Sequence, residues 1–387
     1  MTTTVPLREI IKPAILKKCG EGKYPVLSMT MHDGIMLQSE RFKKNLASSD
    51  TSNYKVVYRN QLVEGFPIDE GVIYVQKVVD EGIMSPAYRV WDIDTDKIEP
   101  DFLEFALHSG KAMQYYRAKL RGTTARRRSL PTPTLLAMEI LLPSKEIQRQ
   151  SVMLLKDVQE AIDTLNQMRE QIAELVKSRF IELFGDPVTN PKGWKTSLVR
   201  DTSELISDGP FGSNLKTSHY VAEGIRVIRL GNIGSGKFLD EDKAYISEEH
   251  YATLKKYTCH AGEIVIGTLG EPNLRACLIP DDIAVSVNKS DCVHFIPKTK
   301  LLNNIYACAY LNTEGALQLA QESLHGQTRS RIAMSQVAAL PIMLPPLDLQ
   351  NEFAAFVEQV DKSKLVIQEL LKKHELLKEA LMQKYFA

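Results

Sequence analysis

Apolar residues recur at steps of three and four over two long stretches of this chain. In the first, Leu155, Val158, Ile162, Leu165, Met168, Ile172, Val176, Phe180 and Leu183 keep that rhythm, and no Gly or Pro lies between Pro143 and Gly185. In the second, Phe356, Val360, Ile367, Leu370, His374, Leu377 and Leu381 do the same. Glu, Lys, Gln and Arg fill the gaps. The spacing predicts two helices of about forty residues, each with a narrow heptad-like seam that wants a helical partner. The nearest candidate partner is the other helix. His374 falls on that seam and is read as a packing or pairing device, not a ligand.

The remainder has no such period. Short β-rich runs at 55–58, 72–75, 226–230 and 263–267 alternate with Gly-, Asn- and Asp-rich turns, the pattern of strands in a mixed fold. A helical pattern runs from Asp101 to about Arg121, and another from Asn304 to about Leu324. Gly185-Asp186-Pro187 ends the first long helix, and the turn-forming run to Trp194 marks a domain boundary.

The two parts are copies. Ile140–Gln150 matches Ile342–Glu352 at a shift of 202, which also carries Val158 onto Val360, Leu165 onto Ile367, Leu175 onto Leu377 and Phe184 onto Phe386. After a small gap, Gly122–Arg128 matches Gly326–Arg331. The expected organisation is a mixed α/β (α+β) chain with an internal pseudo-two-fold repeat. Residues 1–144 and 186–346 form two globular domains. Residues 145–185 and 347–387 form long helices paired as an antiparallel coiled coil.

Composition narrows the options. Lys+Arg and Asp+Glu both total 48, so the net charge is zero, and any nucleic-acid contact must come from local basic patches. The five cysteines form no C-x-x-C pair, and an odd count suits a reducing compartment. No signal peptide or apolar run long enough for a membrane span is seen, so the expected location is cytoplasmic.

Catalytic constellations are missing from the sequence. There is no phosphate-binding P-loop, no zinc-ligand spacing and no methyltransferase motif of Asn or Asp, two prolines and an aromatic; Leu344-Pro-Pro-Leu347 lacks the polar first residue. Gly231–Gly236 has the wrong spacing for a dinucleotide fingerprint and reads as a turn. Pro100-Asp101 and Pro280-Asp281 lack a matching nuclease E-x-K. No catalytic residue, metal ligand or cofactor site is therefore assigned.

What remains is donor-rich loops. Lys119, Arg121, Thr123, Thr124, Arg126, Arg127 and Arg128 cluster without an acid. Their counterpart in the second half supplies Gln327, Thr328, Arg329 and Arg331. Arg and Lys attract phosphates, Arg suits guanine O6/N7 and Gln suits adenine, so these loops are candidate DNA contacts. The turn-rich stretch 207–216 adds Ser213, Asn214 and Lys216, with Arg229 and Asn232 at a following strand end.

Asp208-Gly-Pro-Phe-Gly-Ser213, Arg229-Leu-Gly-Asn-Ile233, Leu344-Pro-Pro-Leu-Asp-Leu-Gln350 and Phe184-Gly-Asp-Pro187 leading to Asn190-Pro-Lys-Gly-Trp194 resemble the specificity (S) subunits of type I restriction–modification systems. The resemblance implies target recognition domains that read an asymmetric, bipartite double-stranded DNA site. It implies helices that act as spacers and dock two methyltransferase (M) subunits, and restriction (R) subunits that complete the cleaving complex. On that reading the chain itself is not an enzyme; it directs adenine methylation and restriction by its partners. The first half departs from the pattern: it has no counterpart of 208–213 or 229–233. Two alternatives stand beside this reading: a stand-alone DNA-modifying enzyme, and a coiled-coil adaptor that binds protein and not DNA.

Overall fold

The computed structural model describes residues 3–31, 33–41, 50–120, 128–322 and 331–386. The chain divides into two compact units. One holds Met1–Asn166 and Gln368–Ala387, the other Gln167–Ile367.

The two units repeat one framework. In the first, four strands lie in the order Ile11–Pro13, Arg89–Ile93, Leu62–Glu64 and Ile73–Val75. In the second, Ser203–Ser207, Cys292–Pro297, Ile264–Gly267 and Arg275–Leu278 take the same order, also antiparallel. A two-stranded ladder accompanies each sheet, Thr3–Pro6 with Glu139–Leu142 and Thr196–Leu198 with Pro341–Met343. Helices Pro100–Leu107, Gly110–Lys119 and Thr132–Leu136 correspond to Asn304–Leu311, Glu314–Glu322 and Met334–Ala338. The single helices expected from Asp101 and from Asn304 are each broken once. Ser109 supplies a side-chain oxygen to the Ala112 N–H, and Thr313 does the same for Ala316, so a capping hydroxyl starts a second helix in both places.

Outside this framework the units differ. The second has a five-stranded sheet, ordered Tyr220–Val221, Tyr245–Ile246, Ile225–Ile228, Val285–Asn288 and Thr258–His260, with one parallel pairing. The first has Lys17–Lys18, Lys55–Tyr58 and Glu81–Met84, plus a two-stranded ladder of Leu27–Met29 with Ile35–Leu37.

Two uninterrupted helices, Lys145–Phe184 and Leu347–Phe386, each contribute to both units. Within each unit the segments run antiparallel, and the end of one helix lies beside the start of the other. In the second unit Phe180 and Phe184 pack edge-on against Phe353, and Arg179 pairs with Glu352 at 2.8 Å. In the first, Phe386 sits 4.7 Å from the Phe102 ring, and Lys378 donates to Gln159 at 2.6 Å. Phe184 and Phe386 are related by the repeat, and each plugs the aromatic core of its unit.

The seam of the second helix is offset from the sequence expectation. Phe353, Val360, Ile367 and Leu371 are buried, whereas Leu370 and Leu377 are exposed. Adjacent leucines at 370–371 offer two 3–4 solutions, and the one through Phe353 buries Leu371. Met168 of the first helix is also exposed.

A buried glutamine starts each long helix. The Gln148 side chain accepts from the Glu99 N–H and donates to the carbonyls of Lys97 and Pro143. Gln350 repeats this with Asn303, Leu301 and Pro345. These side chains satisfy backbone groups that the flanking turns leave unpaired. At the other end of the first helix, Gly185 takes φ +83°, and an added Cβ would sit 2.6 Å from Pro191. Trp194 then donates its indole N–H to the Phe184 carbonyl at 2.9 Å. The motif residues around 184–194 thus build a helix terminus.

Candidate nucleic-acid interface

In the first unit Lys119 is the exposed last residue of Gly110–Lys119, 5.9 Å from the Tyr115 ring. Arg121, Thr123, Thr124, Arg126 and Arg127 lie outside the described residues. Arg128 ends the loop. Its guanidinium lies 3.1 Å from Asp69 and 2.6 Å from Glu70, and its carbonyl accepts from the Ile68 N–H. Two residues on, Arg89 fixes the stem, donating to the Leu130 carbonyl at 2.6 Å and the Thr132 hydroxyl at 2.8 Å. Arg89 is itself held by the Glu64 carboxylate, which also accepts from the Trp91 indole at 3.2 Å. Burial pushes the Glu64 carboxyl up to about 7, although Arg89 and Trp91 act the other way.

In the second unit Gln327, Thr328 and Arg329 lie outside the described residues. Arg331 bridges to Leu269 through its backbone and pairs with Asp291 at 2.5 Å. Asp208 faces the same pair; burial and the Asp291 charge raise its carboxyl, with Arg331 opposing them. Asp291 has φ +66°, the left-handed conformation that Asp and Asn tolerate better than most residues. Gly209 packs so closely on the turn before it that an added Cβ would lie 2.4 Å from the Lys289 carbonyl. That contact explains the first glycine of the Asp208–Ser213 motif.

Ser213 and Asn214 are exposed in a short turn, and Lys216 is exposed beyond it. The Asn214 carbonyl bonds the His250 imidazole at 2.9 Å, and the Lys216 N–H donates to His219 Nδ1 at 3.2 Å. The two imidazoles lie 4.1 Å apart with their planes tilted by 47° and brace the turn. Arg229 forms an ion pair with Asp242 and lies 5.7 Å from the Tyr220 ring. Lys289 approaches the same ring at 5.6 Å.

Asn232 is a correction to the candidate set. It is fully buried, accepts from the Arg229 N–H and donates to the carbonyls of Leu239 and Asp242. Both of its amide hydrogens are used inside the fold, so it shapes the turn and presents nothing to a ligand. Arg229, Arg331, Asp208, Asp291, Lys289 and Tyr220 are brought into two adjoining groups, joined through the turn at 289–291. Asp208, Asp291, Tyr220 and Lys289 were missed because sequence reasoning sought clustered donors, and two acids, a tyrosine and a lone lysine join the site only through long-range pairing with 331 and 229. The five cysteines are all buried and free. Among the described residues no helix is long and apolar enough to cross a membrane.

Three comparisons bear on this arrangement. Residues 191–378 match the family model described as the type I restriction modification DNA specificity domain. A curated relative, the type I restriction enzyme MjaVIII specificity subunit of Methanocaldococcus jannaschii, is 22% identical over 236 residues. That match covers 58% of this chain and 55% of the relative, so the chain spans about half the length of the curated relative it matches. Among solved structures, a chain from a type I R-M system described for its complex assembly and conformational transition gives a TM-score of 0.56 at 17% identity, covering 100% of this chain and 97% of that one. The type I restriction–modification S subunit from M. genitalium gives 0.54 at 15%, covering 100% and 96%. At these identities the structures speak for the fold.

Proposed function

We propose that this chain, whose residues 191–378 match the type I restriction modification DNA specificity domain, reads a bipartite double-stranded DNA target for catalytic partner subunits. In this reading residues 1–144 and 186–346 are target recognition domains, each reading one half-site. Unlike variable sheets on a common framework give unlike half-sites, so the target is asymmetric and interrupted. The observation that carries the reading is the repeat itself. In each unit the sequence puts a donor-rich stretch after the second helix, and the described arginine at its end, Arg128 or Arg331, is held by an arginine–carboxylate pair.

The helices at 145–185 and 347–387 serve as spacers and as the docking surface for two methyltransferase subunits. Exposed Leu365, Val366 and Leu376 on one helix, and Met153, Leu175 and Ile181 on the other, support docking, since apolar side chains displayed along a helix favour a partner. Restriction subunits join that assembly. The chain binds and positions, and the partners carry out adenine methylation and cleavage in the cytoplasm; five free, buried thiols suit a reducing compartment.

Co-purification with its methyltransferase partner tests this. The expected species contains two M and one S chain and methylates DNA, while the S chain alone transfers no methyl group. Methyl transfer from S-adenosylmethionine by the S chain alone would favour the stand-alone enzyme. A complex with no salt-dependent affinity for DNA would favour a protein adaptor.

A further inference from the structure

The described cations of the candidate interface fall into two kinds. Arg128 is met by Asp69 and Glu70, Arg229 by Asp242, and Arg331 by Asp291 with Asp208 facing the pair. Lys119, Lys216 and Lys289 have no carboxylate within ion-pair distance among the described residues; Lys119 and Lys289 lie over tyrosine rings. The same division occurs in both units.

We propose that these carboxylates assign the tasks within the interface: the paired arginines read base edges, and the unpaired lysines hold phosphates. The proposal rests on the DNA-binding reading above and refines it. A guanidinium carries five N–H donors in one plane. A carboxylate on one edge cancels its charge and fixes its orientation, and leaves the opposite edge able to donate. Such an arginine has little attraction for a phosphate, which would also meet the carboxylate's repulsion. It can still make two parallel bonds to guanine O6 and N7, an acceptor without net charge. Lysine is a point charge and suits phosphate. The Arg331 side chain remains 47% exposed while paired, so a free edge is available.

Asp291→Asn is the discriminating variant, because Asn keeps both the shape and the tolerance of φ +66°. The full chain, purified with its methyltransferase partner, is titrated against two duplexes over a range of salt. One carries the motif read out by methylome sequencing; the other has both half-sites scrambled. With Asp291→Asn, the slope of log K against log salt on the scrambled duplex should steepen by about 0.9, one added phosphate contact. Preference for the motif should fall several-fold. Arg331→Ala should lower that preference by about 5- to 150-fold and leave the slope unchanged. Lys216→Ala should weaken both duplexes alike and reduce the slope by about 0.9. The double variant Asp69→Asn, Glu70→Gln repeats the first test at Arg128 in the other unit, should Asp291→Asn fail to fold. An unchanged slope and preference in the carboxylate variants overturns the assignment, as does a lower slope with unchanged preference in Arg331→Ala. Binding of neither duplex by the parent complex would instead remove the DNA reading on which the assignment rests.

Discussion

Replacing Gln350 by Ala tests whether the start of each long helix is held by its buried amide. The substitution removes three hydrogen bonds at 2.9, 3.0 and 2.8 Å, to the Asn303 N–H and to the carbonyls of Leu301 and Pro345. Each backbone group left buried and unpaired costs about 1–3 kcal/mol, reduced where water reaches it. The expected loss is about 3–5 kcal/mol. Trp194 belongs to this unit and Trp91 to the other, so urea denaturation read by Trp194 fluorescence in a Trp91→Phe background isolates the effect. With an m-value of about 2 kcal/mol/M, the midpoint should fall by roughly 1.5–2.5 M. Gln148→Ala should do the same to the Trp91 transition in a Trp194→Phe background. Gln350→Glu adds a control of sign. Its ionised carboxylate would face two carbonyl oxygens, so the folded-state pKa is raised; stability should recover as pH falls and the carboxyl takes up a proton. A midpoint shift below about 0.5 M for Gln350→Ala, or no pH dependence in the Glu variant, would refute the reasoning.

Three further outcomes are expected. The Glu64 carboxyl, pushed up to about 7 by burial, binds a proton more tightly folded than unfolded, so first-unit stability should fall as pH rises from about 4.5 to 7; Trp91 fluorescence melts should show this slope, and Glu64→Gln should remove it. Gly209→Ala places a Cβ 2.4 Å from the Lys289 carbonyl and should destabilise the second unit by a few kcal/mol, read at Trp194, with the half-site read by the first unit unaltered in methylome sequencing. Inserting seven residues after Met168 adds about 10 Å of helix and keeps the heptad register, so the gap between half-sites should lengthen by about three base pairs with both half-site sequences preserved.

The legible parts of the sequence were those that the fold uses twice. Gln148 and Gln350, and Phe184 and Phe386, recur at the 202-residue shift because each unit needs the same amide and the same aromatic plug. The mixed fold with two long helices follows from that repeat and from the 3–4 spacing. The seam position was not legible, because Leu370 and Leu371 satisfy the spacing equally and only the packing at Phe353 chooses between them. In the candidate interface, Asn232 looked like a surface donor because a polar residue in a Gly-containing turn usually is one; three hydrogen bonds to backbone groups turn it inward. Asp291 and Asp208 were invisible for the opposite reason, since an acid shows as an arginine's partner only once 208, 291 and 331 are brought together.

Methylome sequencing of cells carrying this chain with its methyltransferase partner tests the central claim most directly. The account predicts one asymmetric motif of two unlike half-sites of a few base pairs, separated by a non-specific gap of roughly five to eight, with methylated adenine. Exchange of the 186–346 segment for that of another family member should change one half-site only. A continuous or palindromic motif, or no methylation dependent on this chain, would contradict it.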